Sequence, residues 1–202
     1  GMSLSLVHSA SPPPGIAAFR SWKRVTKSLF PMDEAVSGLC RPTPRLWDMH
    51  KRVYAEHAEA FEKSVHTGRD GGPNYVHVYV NEIGKKAIPI NGPKFPIGSI
   101  IVKEKFPGKW TGKWDDKQNS ERLVLGSATV LTVMRKREAG YDSKNGDWEY
   151  FTGDAKTLVL TKPDPKALKA CQSCHAHYKD RDFITKTYML GGLETISIRP
   201  KK

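Results

Sequence analysis

"YVHVYVN", residues 75–81, decides the fold. Strict alternation over seven residues places Tyr75, His77 and Tyr79 on one side and Val76, Val78 and Val80 on the other. That is the period of a strand with two distinct faces. After the turn-rich "NGPKFP", "GSIIVKEK" (98–105) is strand-like again, with Lys103 on the side of Ser99 and Ile101, and Glu104 opposite. "LVLGSATVLTVMRKR" (123–137) and "GDWEYFTG" (146–153) are two more candidates, joined by "EAGYDSKN", where Asn145-Gly146 is a turn signal. "TLVLT" (157–161) supplies a short fifth strand. Strands joined by turns and not by helices imply an antiparallel sheet. The class is therefore α+β: an antiparallel sheet of about five strands with flanking helices. The segment "PGKWTGKWDDKQNSE" (107–121) reads as a loop.

Helices flank this centre. Phe19, Trp22 and Val25 suggest a short helix over 19–27. "RLWDMHKRVYAEHAEAFEKSVH" (45–66) has an apolar stripe of Leu46, Met49, Val53, Ala60 and Phe61. Asp164 and Pro165 signal the start of a C-terminal helix, as N-cap and first helical residue. On that helix Leu168, Cys171, Cys174, His175 and Tyr178 share a face.

Composition sets the outer bounds. The chain has 202 residues, 38% apolar and 27% charged, and reads as a soluble globular chain. Residues 1–14 are small and Pro-rich and read as a disordered tail, with a single domain over 15–202. No apolar run approaches the roughly 18 residues of a membrane span. The start, "GMSLSLVHSASPPPG", shows no signal peptide, and Gly1 reads as a residue left from expression. A net charge of +12 attracts acidic partners, but the basic residues are scattered and no nucleic-acid footprint emerges.

The chemistry sits in "KACQSCHAHYKD" (169–180), where two of three cysteines stand three apart with a histidine directly after. By composition, such a CxxCH arises about 0.0015 times per chain of this kind, so the spacing is not accidental. A redox dithiol needs its first cysteine at a helix N-terminus, where the dipole lowers the thiol pKa. Here a turn and a half of helix precedes Cys171. Zinc wants four ligands, commonly a second Cys/His pair at short spacing, and Cys40 stands alone. His50, His57 and His66 fall at intervals of seven and nine, as solvent-facing helix residues do. One covalent haem c accounts for all three residues: Cys171 and Cys174 as thioethers, His175 as proximal iron ligand.

The motif lies far along the chain, with Met189 the only methionine after it, so this is not the pattern of a small electron-carrier cytochrome. The ordered set "FRSWKRV", "LC", "YVHVYVNE", "FPIGSIIVKEK", "VMRKREAGYDSKNGDWEYFTGD" and "CQSCH" resembles the cytochrome P-460 family, which includes hydroxylamine-oxidising members and the cytochromes c′-beta. The resemblance runs from about residue 17 to residue 190. It implies a largely antiparallel sheet with flanking helices, a five-coordinate haem, a homodimer and a periplasmic home; a redox partner protein is expected beside them. It also matches Lys103 to the lysine that the enzymes link covalently to the haem edge; the alternative is a strand-edge lysine whose ammonium reaches water. The enzymes' distal carboxylate falls by this match in "VLTVM" (130–134), which has no Asp or Glu. A distal pocket of Val130, Thr132 and Met134 favours nitric oxide over hydroxylamine as ligand, and makes enzymatic hydroxylamine or nitric oxide turnover the open question. The alternative is an electron-transfer cytochrome with a six-coordinate haem. Packing is the better reading of Met134, Met189, Cys40 and the Trp148/Tyr150 pair, and His77 reads as a satisfied sheet histidine.

Overall fold

A computed structural model of the chain describes residues 15–26, 30–32, 74–89, 91–115 and 120–184. Its centre is an antiparallel sheet. The strands are β1 (Lys23–Arg24), β2 (Phe30–Met32), β3 (Asn74–Val80), β4 (Ile100–Asp115), β5 (Ser120–Leu125), β6 (Val130–Lys136), β7 (Trp148–Asp154) and β8 (Leu160–Thr161). The order across the sheet is β1-β3-β4-β6-β7-β8; β2 pairs with β3, and β5 with the far half of β4. Helix α1 (Pro165–Ala176) follows the last strand. The fold is α+β with an antiparallel sheet, as the alternation implies.

Over the central strands β3, β4, β6 and β7 both faces of the sheet are covered, which explains why these strands carry apolar residues on both sides of the pleat. One core gathers Val76, Val78, Val80, Ile101, Met134, Trp148 and Tyr150, with Phe183 and Ile184, and Leu168 and Cys171 of α1 pack against it. The other gathers Tyr79, Ile100, Val102, Leu131, Val133 and Phe151 under Ile16 and Phe19. Phe19 meets Tyr79 edge-on, ring centroids 5.2 Å apart. Each wholly buried valine or leucine adds about 1.5–3 kcal/mol relative to exposure. The alternating residues of β3 thus face two different interiors, and α1 lies over the valine side.

Local signals hold at α1. The Asp164 carboxylate accepts from the Ala167 amide at 2.9 Å, and Pro165 takes the first position. They fail in three other places. Residues 16–21 form a short 3₁₀ turn, and the chain then enters β1, because Lys23 and Arg24 pair with Val80 and Tyr79 and sheet pairing outweighs the local helical spacing. The expected loop over 107–121 is instead mostly strand: β4 continues to Asp115 and pairs with β5, with a register shift between Trp110 and Trp114. That irregularity breaks the period-two pattern, so the sequence hides the hairpin. Third, 123–137 is two strands, separated at 126–129. The tail 1–14, the helix expected over 45–66, Cys40 and Met189 lie outside the described residues.

Candidate haem-binding site

Helix α1 sets the two thiols and the imidazole above the sheet. Gln172, between the cysteines, donates from Nε2 to Asp142 Oδ2 at 2.8 Å, and Asn145 Nδ2 holds the same carboxylate at 2.9 Å. The loop between β6 and β7 therefore fixes the helix from one side, while Leu168 and Cys171 dock it into the core. Cys171 and Cys174 are half-buried and not in disulfides. Burial pushes the Cys171 thiol up, against the opposing pull of Lys105 and Lys103. A raised thiol is the reverse of what a redox dithiol requires.

His175 is held in one tautomer. Its Nδ1 lies 2.6 Å from the Phe183 carbonyl oxygen. A carbonyl only accepts, so the proton is on Nδ1 and Nε2 keeps its lone pair. Burial first, and the charge of Lys103 second, pull the imidazole's pKa down to about 4, with the Phe183 bond acting the other way. The ring is therefore neutral near pH 7, the form that ligates a metal. Tyr150 stands edge-on to it.

The carbonyl is presented by an unusual turn. Asp182 (φ 54°, ψ 41°) and Phe183 (φ 64°) are consecutive left-handed residues that are not glycine. Each such residue costs about 1–2 kcal/mol. Lys136 pairs with Asp182 at 2.7 Å and donates to the Gly146 carbonyl at 2.8 Å. Asp182 Oδ2 accepts from the Phe95 amide at 2.8 Å, and the Asp182 carbonyl accepts from Trp148 Nε1 at 2.8 Å. The Phe183 ring sits on Gly146, where a Cβ would overlap it.

The sheet beneath α1 supplies the rest. Val78, Lys103, Thr132 and Thr152 form one row across β3, β4, β6 and β7; Val80, Ile101, Met134 and Tyr150 form the next. Lys103, Val130 and Thr132 are half-buried, and Met134 is in the core as expected. Lys103 is no strand-edge residue, since β3 and β6 flank it. The structure brings Lys103 near Cys171 and His175, both of which feel its charge. Lys105, on the same side, is wholly buried, and burial followed by Lys103 drives its amine far below the usual range. Continuing the alternation by one step beyond Lys103 would have pointed to it. No spacing rule would have found the Phe183 carbonyl.

The neighbouring carboxylates face the other way. Glu104 accepts from Arg20 Nε at 2.9 Å and from the Tyr79 hydroxyl at 3.4 Å. Glu149 is held by Arg135, Arg137 and Lys162. His77 is satisfied on that same side, its Nδ1 3.0 Å from the Thr26 hydroxyl.

This set fits haem c. Two thiols and a neutral imidazole share a helix, and beside them the buried Tyr150 hydroxyl has no hydrogen-bond partner among the described residues. No helix among those residues is long and apolar enough to cross a membrane. None of the curated proteins compared with the chain matches it. The family model described as cytochrome P460 matches residues 44–186, from ahead of β3 to beyond the CxxCH helix, and the chain belongs to the cytochrome P460 family of haem c proteins.

Proposed function

We propose that Cys171 and Cys174 hold one haem c as thioethers, that His175 ligates its iron, and that the iron's other side takes nitric oxide or a related small nitrogen oxide. The observation that carries this reading is the Nδ1 bond to Phe183, which leaves the Nε2 lone pair of a neutral imidazole available to a metal. Haem iron supplies a site for a diatomic ligand and a one-electron couple.

The sheet favours binding over hydroxylamine oxidation. Its two central rows under α1 offer Lys103, the hydroxyls of Thr132, Thr152 and Tyr150, and apolar groups, but no carboxylate, while Glu104 and Glu149 are engaged on the opposite side. Removing N–H protons without a placed base forgoes a contribution of roughly 10²–10⁴ in rate. In this reading Lys103 lies at the haem edge, which its charge acting at both Cys171 and His175 supports. The haem-loaded form is assigned to the periplasm, where thioether formation takes place, as a homodimer that exchanges electrons with a partner protein.

The test is the absorption spectrum of haem-loaded protein, oxidised and reduced, with and without nitric oxide. A high-spin, five-coordinate iron that takes up nitric oxide supports the reading. A low-spin, six-coordinate spectrum indifferent to nitric oxide overturns it in favour of plain electron transfer. Turnover of hydroxylamine with an artificial acceptor would overturn the argument from the carboxylates.

A further inference from the structure

We infer that Asp182, braced by Lys136, is a positioning residue for His175: it fixes the Phe183 carbonyl on Nδ1 and so sets how strongly the imidazole donates to iron. This rests on His175 being the iron ligand proposed above.

The turn is not one that its own residues favour. Asp182 and Phe183 both adopt the left-handed conformation, which L side chains avoid and glycine takes freely. Backbone bonds from the Phe183 amide to Tyr178 and from the Ile184 amide to Arg181 close it, and three separate segments brace it from outside. From β6, Lys136 reaches Asp182 Oδ1; from β7, Trp148 donates to the Asp182 carbonyl; from the segment before β4, the Phe95 amide donates to Oδ2. The carboxylate and the carbonyl of one residue are thus both engaged, which leaves the next carbonyl little freedom.

The ion pair is built for this place. Its side chains are only 12% and 6% exposed, so loss of either partner leaves a charge in the interior. Lys136 also binds the Gly146 carbonyl and lies 5.1 Å from the Trp148 ring centre, so one ammonium ties the β6–β7 loop to the turn. The product of the arrangement is a bond of 2.6 Å, at the short end for N–H···O. A strongly engaged Nδ1 proton makes the imidazole more anionic, and a more anionic imidazole favours ferric over ferrous iron.

The experiment compares haem-loaded wild type with Asp182→Asn, Lys136→Met and Lys136→Arg. It reads the iron–histidine stretch by resonance Raman of the reduced protein, the reduction potential, and the denaturation midpoint. Asp182→Asn and Lys136→Met are expected to lower the stretching frequency and move the potential positive. Lys136→Arg, which keeps the pair, is expected to return both toward wild type. Should Asp182→Asn fail to accumulate, Lys136→Met leaves the turn's own residues intact and carries the same comparison. Variants that lose stability but keep the wild-type frequency and potential would overturn the inference, since a purely structural clamp gives that result. Wild type lacking any iron–histidine stretch would overturn the reading of His175 as the ligand of a five-coordinate iron, and the inference with it.

Discussion

The Tyr150 ring meets the His175 imidazole edge-on, with centroids 5.6 Å apart and planes at 63°. Its hydroxyl is buried and, among the described residues, has no hydrogen-bond partner. Burial, and then the nearby thiols Cys171 and Cys174, raise its pKa, so it stays protonated at any ordinary pH. A buried donor without an acceptor costs about 1–3 kcal/mol. Tyr150→Phe is therefore expected to raise the stability of the haem-free chain by about 1 kcal/mol, read from the midpoint of urea unfolding. A comparable loss would show that the hydroxyl is satisfied.

Tethering is tested by mass. Protein matured in a host that attaches haem c is expected to carry one haem that survives denaturation, and Cys171→Ala with Cys174→Ala is expected to leave the bare polypeptide mass. Covalent haem on the double variant would place the attachment elsewhere.

Glu149 links stability to acid. Burial alone would raise its carboxyl, but hydrogen bonds from Lys162, Arg135 and Arg137 outweigh that and hold it below its usual value. A carboxylate with a depressed folded pKa contributes stability that is fully present above its unfolded value, near 4.5, and is lost as pH falls through the folded value. Wild type is expected to lose stability more steeply than Glu149→Gln as pH drops below about 4.5. The variant is less stable at neutral pH, where it leaves three cations around a neutral amide, and the two curves converge in acid. Parallel curves from pH 7 to pH 3 would exclude this role.

Gly146 has two reasons to be glycine. Its φ is 71°, and a Cβ there would run into the Phe183 ring. Gly146→Ala is expected to destabilise the chain by more than about 1 kcal/mol, the usual cost of left-handed strain alone, as read by thermal unfolding. A loss of only about 1 kcal/mol would mean that the ring moves freely off the loop, leaving the strain by itself.

Much of this was readable in the residues themselves, because it rests on local rules. Alternation in 75–81 gave the two faces, Asp164 and Pro165 gave the helix start, and CxxCH gave the chemistry. The parts that stayed hidden depend on partners distant in sequence. Lys23–Arg24 became strand because Tyr79 and Val80 were available to pair. The hairpin after Pro107 was masked by a register shift that breaks period two. The His175 bond to Phe183 needs a turn that neither Asp182 nor Phe183 prefers, and its brace comes from Lys136, 46 residues earlier. A tertiary clamp of that kind leaves no periodic trace.

The run Lys103-Glu104-Lys105 lies in a strand closed in on both flanks, so its charges alternate between the two interiors. Slipping β4 by one residue would turn two lysine side chains toward Arg20 and swing a carboxylate under the helix that carries the thiols. Misalignment would then be penalised electrostatically as well as by packing. An insertion or deletion between Ile100 and Phe106 should prove far less tolerable than one of the same length near the β4–β5 tip.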